Sequence, residues 1–246
     1  MMRFGRVIRR LCGPRETPVA KNIVILTGAG ISAESGMGTF RDKGGLWENA
    51  DLMELATPEG FARRPADVHA FYNMRRAKVR RCQPNAAHIA LAALQQDPRA
   101  QVTLVTQNVD DLHERAGSGD VIHMHGTHLV ARCAACETRW PAPAEMSVET
   151  RCACGGPARP DVVWFGEVPH HMDRIGAALV SADMFVAIGT SGVVYPAAGF
   201  VEVARKVGAA TLELNLAPSE RASQFDDAMF GPATQVVPDW VASVLS

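Results

Sequence analysis

One stretch, NIVILTGAGISA from Asn22 to Ala33, limits the possible folds more than any other. Ile23 to Leu26 is a continuous apolar run rich in β-branched residues, with no polar alternation. A strand buried on both faces of a parallel sheet requires such a run. It leads into Gly28-Ala29-Gly30-Ile31-Ser32-Ala33, which fits G-x-G-x-x-G/A. Residues without bulky side chains let backbone N–H groups approach a pyrophosphate. Runs of the same kind follow at 101–107, 184–190 and 210–215, with a weaker candidate at 234–238. Helical patterns lie at 84–96, 172–181 and 196–207. Strands alternating with helices predict an α/β fold, a Rossmann-like doubly wound parallel sheet.

Two excursions interrupt this pattern. Expected are a discontinuous nucleotide-binding domain over 20–34, 83–125 and 161–240, and a cofactor loop with a helical insertion over 35–82. A zinc-binding insertion over 126–160 and a basic arm over 1–19 complete the division, giving a small zinc-ribbon/helical domain inserted in the sheet. The arm carries Arg3, Arg6, Arg9, Arg10 and Arg15 against Glu16. No signal-peptide pattern follows it, so the expected location is cytoplasmic. A net charge of −1 argues against a nucleic-acid partner. No apolar run approaches the roughly 18 residues that span a bilayer, so no membrane partner is expected.

Four of the six cysteines cluster as Cys133-x2-Cys136-x15-Cys152-x1-Cys154, while Cys12 and Cys82 stand alone. Without a secretion signal this favours a metal over disulfides, and four thiolates close a tetrahedral zinc shell, making the ion structural. The second pair is one residue short of the usual spacing, and Gly155-Gly156 can supply a tight turn. His123 and His125 fall on one strand face in VIHMHG. His125, just before Gly126, suits a general base, and a metal role for the pair is the alternative. Gln107, Asn108 and Asp110 follow a strand at the end where α/β sheets bind ligands; an Asn/Asp helix cap before Leu112 is the competing reading. VVWFGE, 162–167, reads as a strand whose Gly166 admits a second backbone.

Val68, Phe71, Tyr72, Arg75 and Val79 form one helical stripe, with Arg76 off it. An inward arginine needs an anion, supplied by the protein itself or by a substrate.

GAGISAESG, TFR, TQNVD, HMHG, the paired cysteines, VVWFGE, IGTS and ELN occur here in the order seen in sirtuins. The chain resembles these NAD-dependent protein-lysine deacylases over residues about 20 to 240. It looks closest to the branch of bacterial enzymes and the desuccinylase type, because of TFR and the Tyr72-x-x-Arg75 pair. The resemblance implies that NAD, consumed as co-substrate, is held by Gly28, Ala29, Gly30, Glu34, Thr39, Phe40, Arg41, Trp47, Gln107, Asn108, Val109, Asp110, Gly189, Thr190, Ser191, Asn215, Leu216, Ala217 and Ala233. It further implies catalysis by His125 and Asn108. The extended acyl-lysine peptide would meet Val163, Phe165, Gly166, Glu167 and Val193, with Tyr72 and Arg75 at an acidic acyl group. The products would be lysine, nicotinamide and O-acyl-ADP-ribose, and the enzyme would be a monomer with one zinc held by Cys133, Cys136, Cys152 and Cys154.

Lys43 stands where the desuccinylase type tends to have a small residue, and Met37-Gly38 replaces a hydrophobic-proline pair. A catalytically weak NAD- or ADP-ribose-binding regulator is the alternative function. A redox dehydrogenase is disfavoured, because no acidic residue follows where a ribose 2′-OH would be held.

Overall fold

The computed structural model describes residues 22–38 and 50–246. Six parallel strands form the main sheet: β1 (Asn22–Thr27), β2 (Gln101–Thr106), β3 (Val121–His123), β7 (Met184–Ile188), β8 (Ala210–Asn215) and β9 (Asp227–Phe230). Their order is β3-β2-β1-β7-β8-β9. The apolar run that opens the fold is thus central. Successive β1 side chains enter opposite cores. Ile23 and Ile25 pack with Leu91 and Leu94 of α5 (Ala86–Gln96) and with Val237 and Trp240 of α9 (Ala233–Leu245). Val24 and Leu26 pack with Ile175 and Leu179 of α7 (Met172–Val180) and with Phe200 and Ala204 of α8 (Phe200–Lys206). The chain winds one way from β1 through β2 to β3, then the other way through β7 to β9. The carboxyl ends of β1, β2, β7 and β8 therefore flank a switch point, where such sheets hold ligands.

A second sheet has three antiparallel strands: β4 (Gly126–Cys133), β5 (Arg139–Pro141) and β6 (Ala158–Val162), in the order β5-β4-β6. Between β1 and β2 in the chain come α2 (Ala50–Leu55), α3 (Pro58–Arg63) and α4 (Pro65–Arg81), of which α4 packs on β4 and β6. Thr57 caps α3, accepting from Gly60 N at 2.9 Å. Two shorter helices, α1 (Ala29–Ala33) and α6 (Leu112–Arg115), follow β1 and the loop after β2. Among the described residues, no helix is long and apolar enough to cross a membrane.

Three local expectations change. Residues 234–238 belong to α9, not to a strand. Thr-Gln-Val-Val is too short for periodicity to decide, but Val236, Val237, Trp240 and Val241 together bury one helical face. The strand VVWFGE stops at Val162; beyond it Glu167 N donates back to Trp164 O at 3.0 Å in a turn, with Gly166 at φ +89°. Arg76, placed off the inward stripe, is fully buried, because α4 packs against β4 as well as the cleft wall. It donates to His128 O at 2.8 Å and Asn73 Oδ1 at 2.7 Å.

His88 and His113 pack edge to face at 4.9 Å and are almost wholly buried. Burial pushes the His88 pKa down to about 4 and holds His113 well below its ordinary value. The unfolded chain protonates both near pH 6.5. Unfolding thus takes up protons below that pH, so the stability from keeping both rings neutral is complete above about pH 6.5 and lost as pH falls toward 4. His123 opposes this: despite its burial, the bond to Glu114 raises its pKa. The two buried rings together predict a stability that falls as pH drops from about 6.5 to about 5. Calorimetric melting across that range should show a falling Tm, and a flat Tm would contradict the neutral, buried pair.

Candidate active site

A cleft of about 790 Å³ lies between the carboxyl edge of the main sheet and the α4–β6 wall. That size suits a nucleotide-sized ligand. It gathers Gly28, Ala29, Gly30, Glu34, Gln107, Asn108, Val109, His125, Gly189, Thr190, Ser191, Asn215, Leu216, Ala217 and Ala233. Tyr72, Arg75, Val163, Phe165, Gly166 and Glu167 line its other end. Val193 lies outside the lining, which takes Val194 and Tyr195 instead. Thr39, Phe40, Arg41, Lys43 and Trp47 lie outside the described residues.

The glycines here are demanded by loop-on-loop contact. A Cβ on Gly28 would come within 2.7 Å of Gly189 O, and one on Gly30 within 2.7 Å of Gly189 Cα. Gly189 itself has φ +62°, and a Cβ there would meet Ile31 N at 2.5 Å. Gly30 N donates to Gly189 O at 2.8 Å, locking the loops together. On the far side Asn215 Nδ2 donates to Thr190 O at 2.9 Å. At the rim both Glu34 oxygens accept from Thr234, at 2.8 and 3.0 Å.

Asn108 is 4 % exposed and its amide is fixed, donating to Gly28 O at 3.1 Å and Ser32 Oγ at 3.2 Å. Both N–H donors are used, so the side-chain oxygen is what it offers a ligand. Asp110 lies behind, outside the lining, accepting from Ser32 Oγ at 3.1 Å and from Leu112 N at 3.2 Å. It thus does the helix-capping work and also anchors the Ser32–Asn108 network. Burial raises its pKa above the ordinary carboxylate value.

The two strand histidines divide. His123 is held by Glu114 at 2.6 Å and Asn108 O at 3.2 Å, outside the cleft lining. His125 lines the cleft, with Nδ1 3.1 Å from Gln107 O. A carbonyl only accepts, so Nδ1 carries the proton and Nε2 keeps its lone pair. Burial lowers the His125 pKa, favouring this neutral form.

At the opposite end Trp164 Nε1 donates to Tyr72 Oη at 2.9 Å. An indole N–H cannot accept, so the Tyr72 hydroxyl proton is left to donate elsewhere. Burial pushes the Tyr72 pKa up, keeping that proton on. Trp164 is itself clamped: Arg159 stacks 3.4 Å from its ring centroid, and Glu167 accepts from its backbone N at 2.8 Å. Arg159 also grips Glu167 through two bonds, at 2.6 and 2.9 Å. Arg75 is 6 % exposed; burial lowers its pKa, and Asp110 and Tyr72 oppose that shift. Sequence reasoning did not single out Trp164, though it sits in the quoted VVWFGE. It also missed His128, which lines the cleft from the alternating strand β4, where sequence offers no signal separating a core histidine from a site histidine.

Cys133, Cys136, Cys152 and Cys154 bring their sulfurs within 4.8 Å of one another. Sγ pairs stand at 3.4, 3.5 and 3.7 Å. A tetrahedral ion with bonds of about 2.3 Å wants sulfurs about 3.8 Å apart, so the set fits zinc. Backbone N–H groups of Ala135 and Cys136 point at Cys133 Sγ, each at 3.4 Å. The short Cys152-x-Cys154 spacing is absorbed by the following turn, where Gly155 N bonds Cys152 O and Cys152 N bonds Gly156 O, both at 2.9 Å. Gly155 has φ +84°.

Residues 28–196 match the Sir2 family. An NAD-dependent protein deacylase of Caulobacter vibrioides is 56% identical over 230 residues, covering 91% of this chain and 97% of that protein. One of Salmonella typhimurium is 52% identical over 228 residues, covering 91% and 84%. A structure of a Sir2 homologue–NAD complex superposes with a TM-score of 0.85 at 40% identity, covering 93% of this chain and 91% of that one. A Sir2–p53 peptide–NAD+ structure gives 0.79 at 26% identity, covering 91% and 93%.

The thiol geometry predicts one zinc per folded chain, and a dependence on Gly156. A Cβ there would meet Cys133 Sγ at 2.7 Å and Ala135 Cβ at 2.8 Å. Gly156→Ala should therefore lower zinc content and melting temperature together, read by metal analysis and calorimetry after chelator dialysis. Full metal retention in that variant would contradict the geometry.

Proposed function

The chain belongs to the Sir2 family, and from that premise we propose that it is an NAD-dependent protein deacylase which removes acidic acyl groups, succinyl and malonyl, as well as acetyl, from lysine. The observation that carries the acyl preference is the buried Arg75 lining the cleft beside the Tyr72 hydroxyl. Arg75 and Arg76 are both buried, and Arg76 donates to neutral acceptors, His128 O, Asn73 Oδ1, Ala144 O and Met146 Sδ. Tyr72 adds a hydroxyl donor whose direction Trp164 sets. Arg meets a carboxylate with two parallel bonds and the phenol supplies a third.

NAD supplies the chemistry of a ribose carbon bearing an already cationic leaving group. The chain's own part is positioning and one proton. The Gly28–Gly30 and Gly189–Ser191 loops, Gln107 and Asn215 hold the dinucleotide, with Thr39, Phe40, Arg41 and Trp47 proposed to cover it. Asn108, braced by Ser32 and Asp110, orients the nicotinamide end. His125 Nε2 takes a proton from a ribose hydroxyl, its lone pair secured by the Nδ1 bond to Gln107 O. The acyl-lysine peptide lies extended between Phe165-Gly166-Glu167 and Val193-Val194, with Phe165 and Tyr195 exposed beside the cleft mouth. We take the working form to be a cytoplasmic monomer acting on proteins rather than on nucleic acid or membranes, in keeping with the near-neutral charge.

His125→Ala should lower turnover by ~10²–10⁴-fold, the usual cost of removing a general base, while calorimetry still detects NAD binding. The base works deprotonated, and burial lowers its pKa. In the wild type, kcat/KM should therefore hold level down to pH values below about 6.5 before falling on the acid side. Retained turnover in a folded His125→Ala protein would move the base elsewhere.

Arg75→Met tests the acyl preference. It should lower kcat/KM on a succinyl-lysine peptide at least ~10-fold, equivalent to about 1.4 kcal/mol, and change acetyl-lysine turnover far less. An equal fall on both substrates would make Arg75 a purely structural cation.

A further inference from the structure

Residues 216–220 line the cleft after β8, and Arg221 follows them without joining the lining. Its side chain instead reaches across to the loop after β7. Every nitrogen of the guanidinium has a target. Nε donates to Gly192 O at 3.4 Å, Nη1 meets Glu202 of α8 at 3.1 Å, and Nη2 donates to the Tyr195 hydroxyl. The guanidinium carbon also lies over the Tyr195 ring, 5.4 Å from its centroid. That is within the reach of a cation–π contact. Gly192 has φ +72°, and a Cβ there would meet Arg221 Cγ at 2.9 Å, so the arginine stem lies directly on this backbone.

The two loops do not need the guanidinium to stay together. Glu220 N donates to Ser191 O at 3.2 Å, and Asn215 Nδ2 donates to Thr190 O at 2.9 Å. Nor does the ion pair add much to the fold, since Glu202 and Arg221 are both partly open to water. What does depend on the guanidinium is the direction of Tyr195. This ring is 62 % exposed and lines the cleft. An exposed side chain that a ligand covers loses rotamer freedom, and that loss weakens binding. Gly192 O and Glu202 fix the guanidinium, and the guanidinium fixes the ring before any ligand arrives. The Tyr195 hydroxyl accepts from Arg221, so its own proton is left to donate outward. An extended peptide presents backbone carbonyls to such a donor and apolar backbone to such a ring.

We propose that Arg221 is a positioning residue for the peptide substrate, holding Tyr195 at the mouth of the cleft so that the ring is already in place when an acyl-lysine peptide binds. The proposal rests on the reading that the peptide lies along Val193-Val194. Arg221 acts through Tyr195 and contacts neither substrate.

The test uses the full chain, NAD and an acetyl-lysine peptide. Arg221→Met keeps an unbranched stem and removes the guanidinium. It should raise the peptide KM about 5-fold, the scale of one side chain ordered on binding, with kcat and the KM for NAD within about two-fold of wild type. NAD is spared because the bonds from Glu220 N and Asn215 survive the substitution. Tyr195→Ala should raise the peptide KM at least as much. Adding Arg221→Met to Tyr195→Ala should then change it by less than about two-fold, because the arginine has lost what it positions. The proposal is overturned by an unchanged peptide KM in Arg221→Met, or by an equal rise in the KM for NAD. It is also overturned if Arg221→Met still raises the peptide KM about 5-fold in the Tyr195→Ala background. Failure of the underlying reading looks different: Tyr195→Ala alone then leaves the peptide KM at the wild-type value.

Discussion

The cleft depends on a backbone contact that tolerates no side chain. Gly28 and Gly30 lie against Gly189 so closely that a Cβ on any of the three would strike main-chain atoms at 2.5 to 2.7 Å. Parallel pairing of β1 with β7 brings the two loops together, and the bond from Gly30 N to Gly189 O fixes their distance. Everything downstream inherits that spacing. Asn108 reaches Gly28 O, Gln107 reaches Thr190 Oγ1, and Asn215 reaches Thr190 O because the two loops are one unit. The glycines thus act first on the protein itself and only then on a ligand. This refines the usual view that they merely admit a pyrophosphate.

How far the sequence could be read follows from which signals are local. β1, β2, β7 and β8 declared themselves as apolar runs, since a strand buried on both faces has little freedom in composition. The four thiols were legible because metal ligation demands particular residues at particular spacing. His125 and Asn108 stood out because they sit beside glycine or at a strand's carboxyl end. Other features depend on neighbours distant in sequence. Arg76 is buried because β4, more than 50 positions later, covers a second face of α4, and helical periodicity around one stripe cannot register that. Trp164 matters through Tyr72, 92 positions away. His128 looked like any inward residue of an alternating strand. At 234–238 a short apolar run fitted strand and helix equally, and Trp240 and Val241 decided for the helix.

The three-stranded sheet and the turn after it concentrate charge where interiors usually avoid it. Asp161 faces Arg139 at 2.8 Å and Arg132 at 3.8 Å, while Glu167 meets Arg159 and Arg132. Isolated buried ions are costly, but here Asp161 and Glu167 are each shared by two guanidiniums, which offsets much of that cost. The arrangement braces the Tyr72 end of the cleft without filling it. Arg159 and Glu167 hold Trp164, and Trp164 sets the direction of the Tyr72 proton. The Tyr72 hydroxyl is therefore held in direction by an ion pair acting through Trp164.

The bonds between Glu34 and Thr234 join residues 200 positions apart at the rim of the cleft. The first loop of the cleft along the chain is closed by residues of α9 that follow every strand of the main sheet. β1 likewise pairs on one side with a strand near position 100 and on the other with one beyond 180. A nascent chain holding the complete glycine motif still lacks Gly189 to shape it and Ala233 to wall it. The cleft is consequently whole only when the span from Asn22 to Ala233 is in place, and removing α9 would take away both Ala233 and the Thr234 bonds to Glu34.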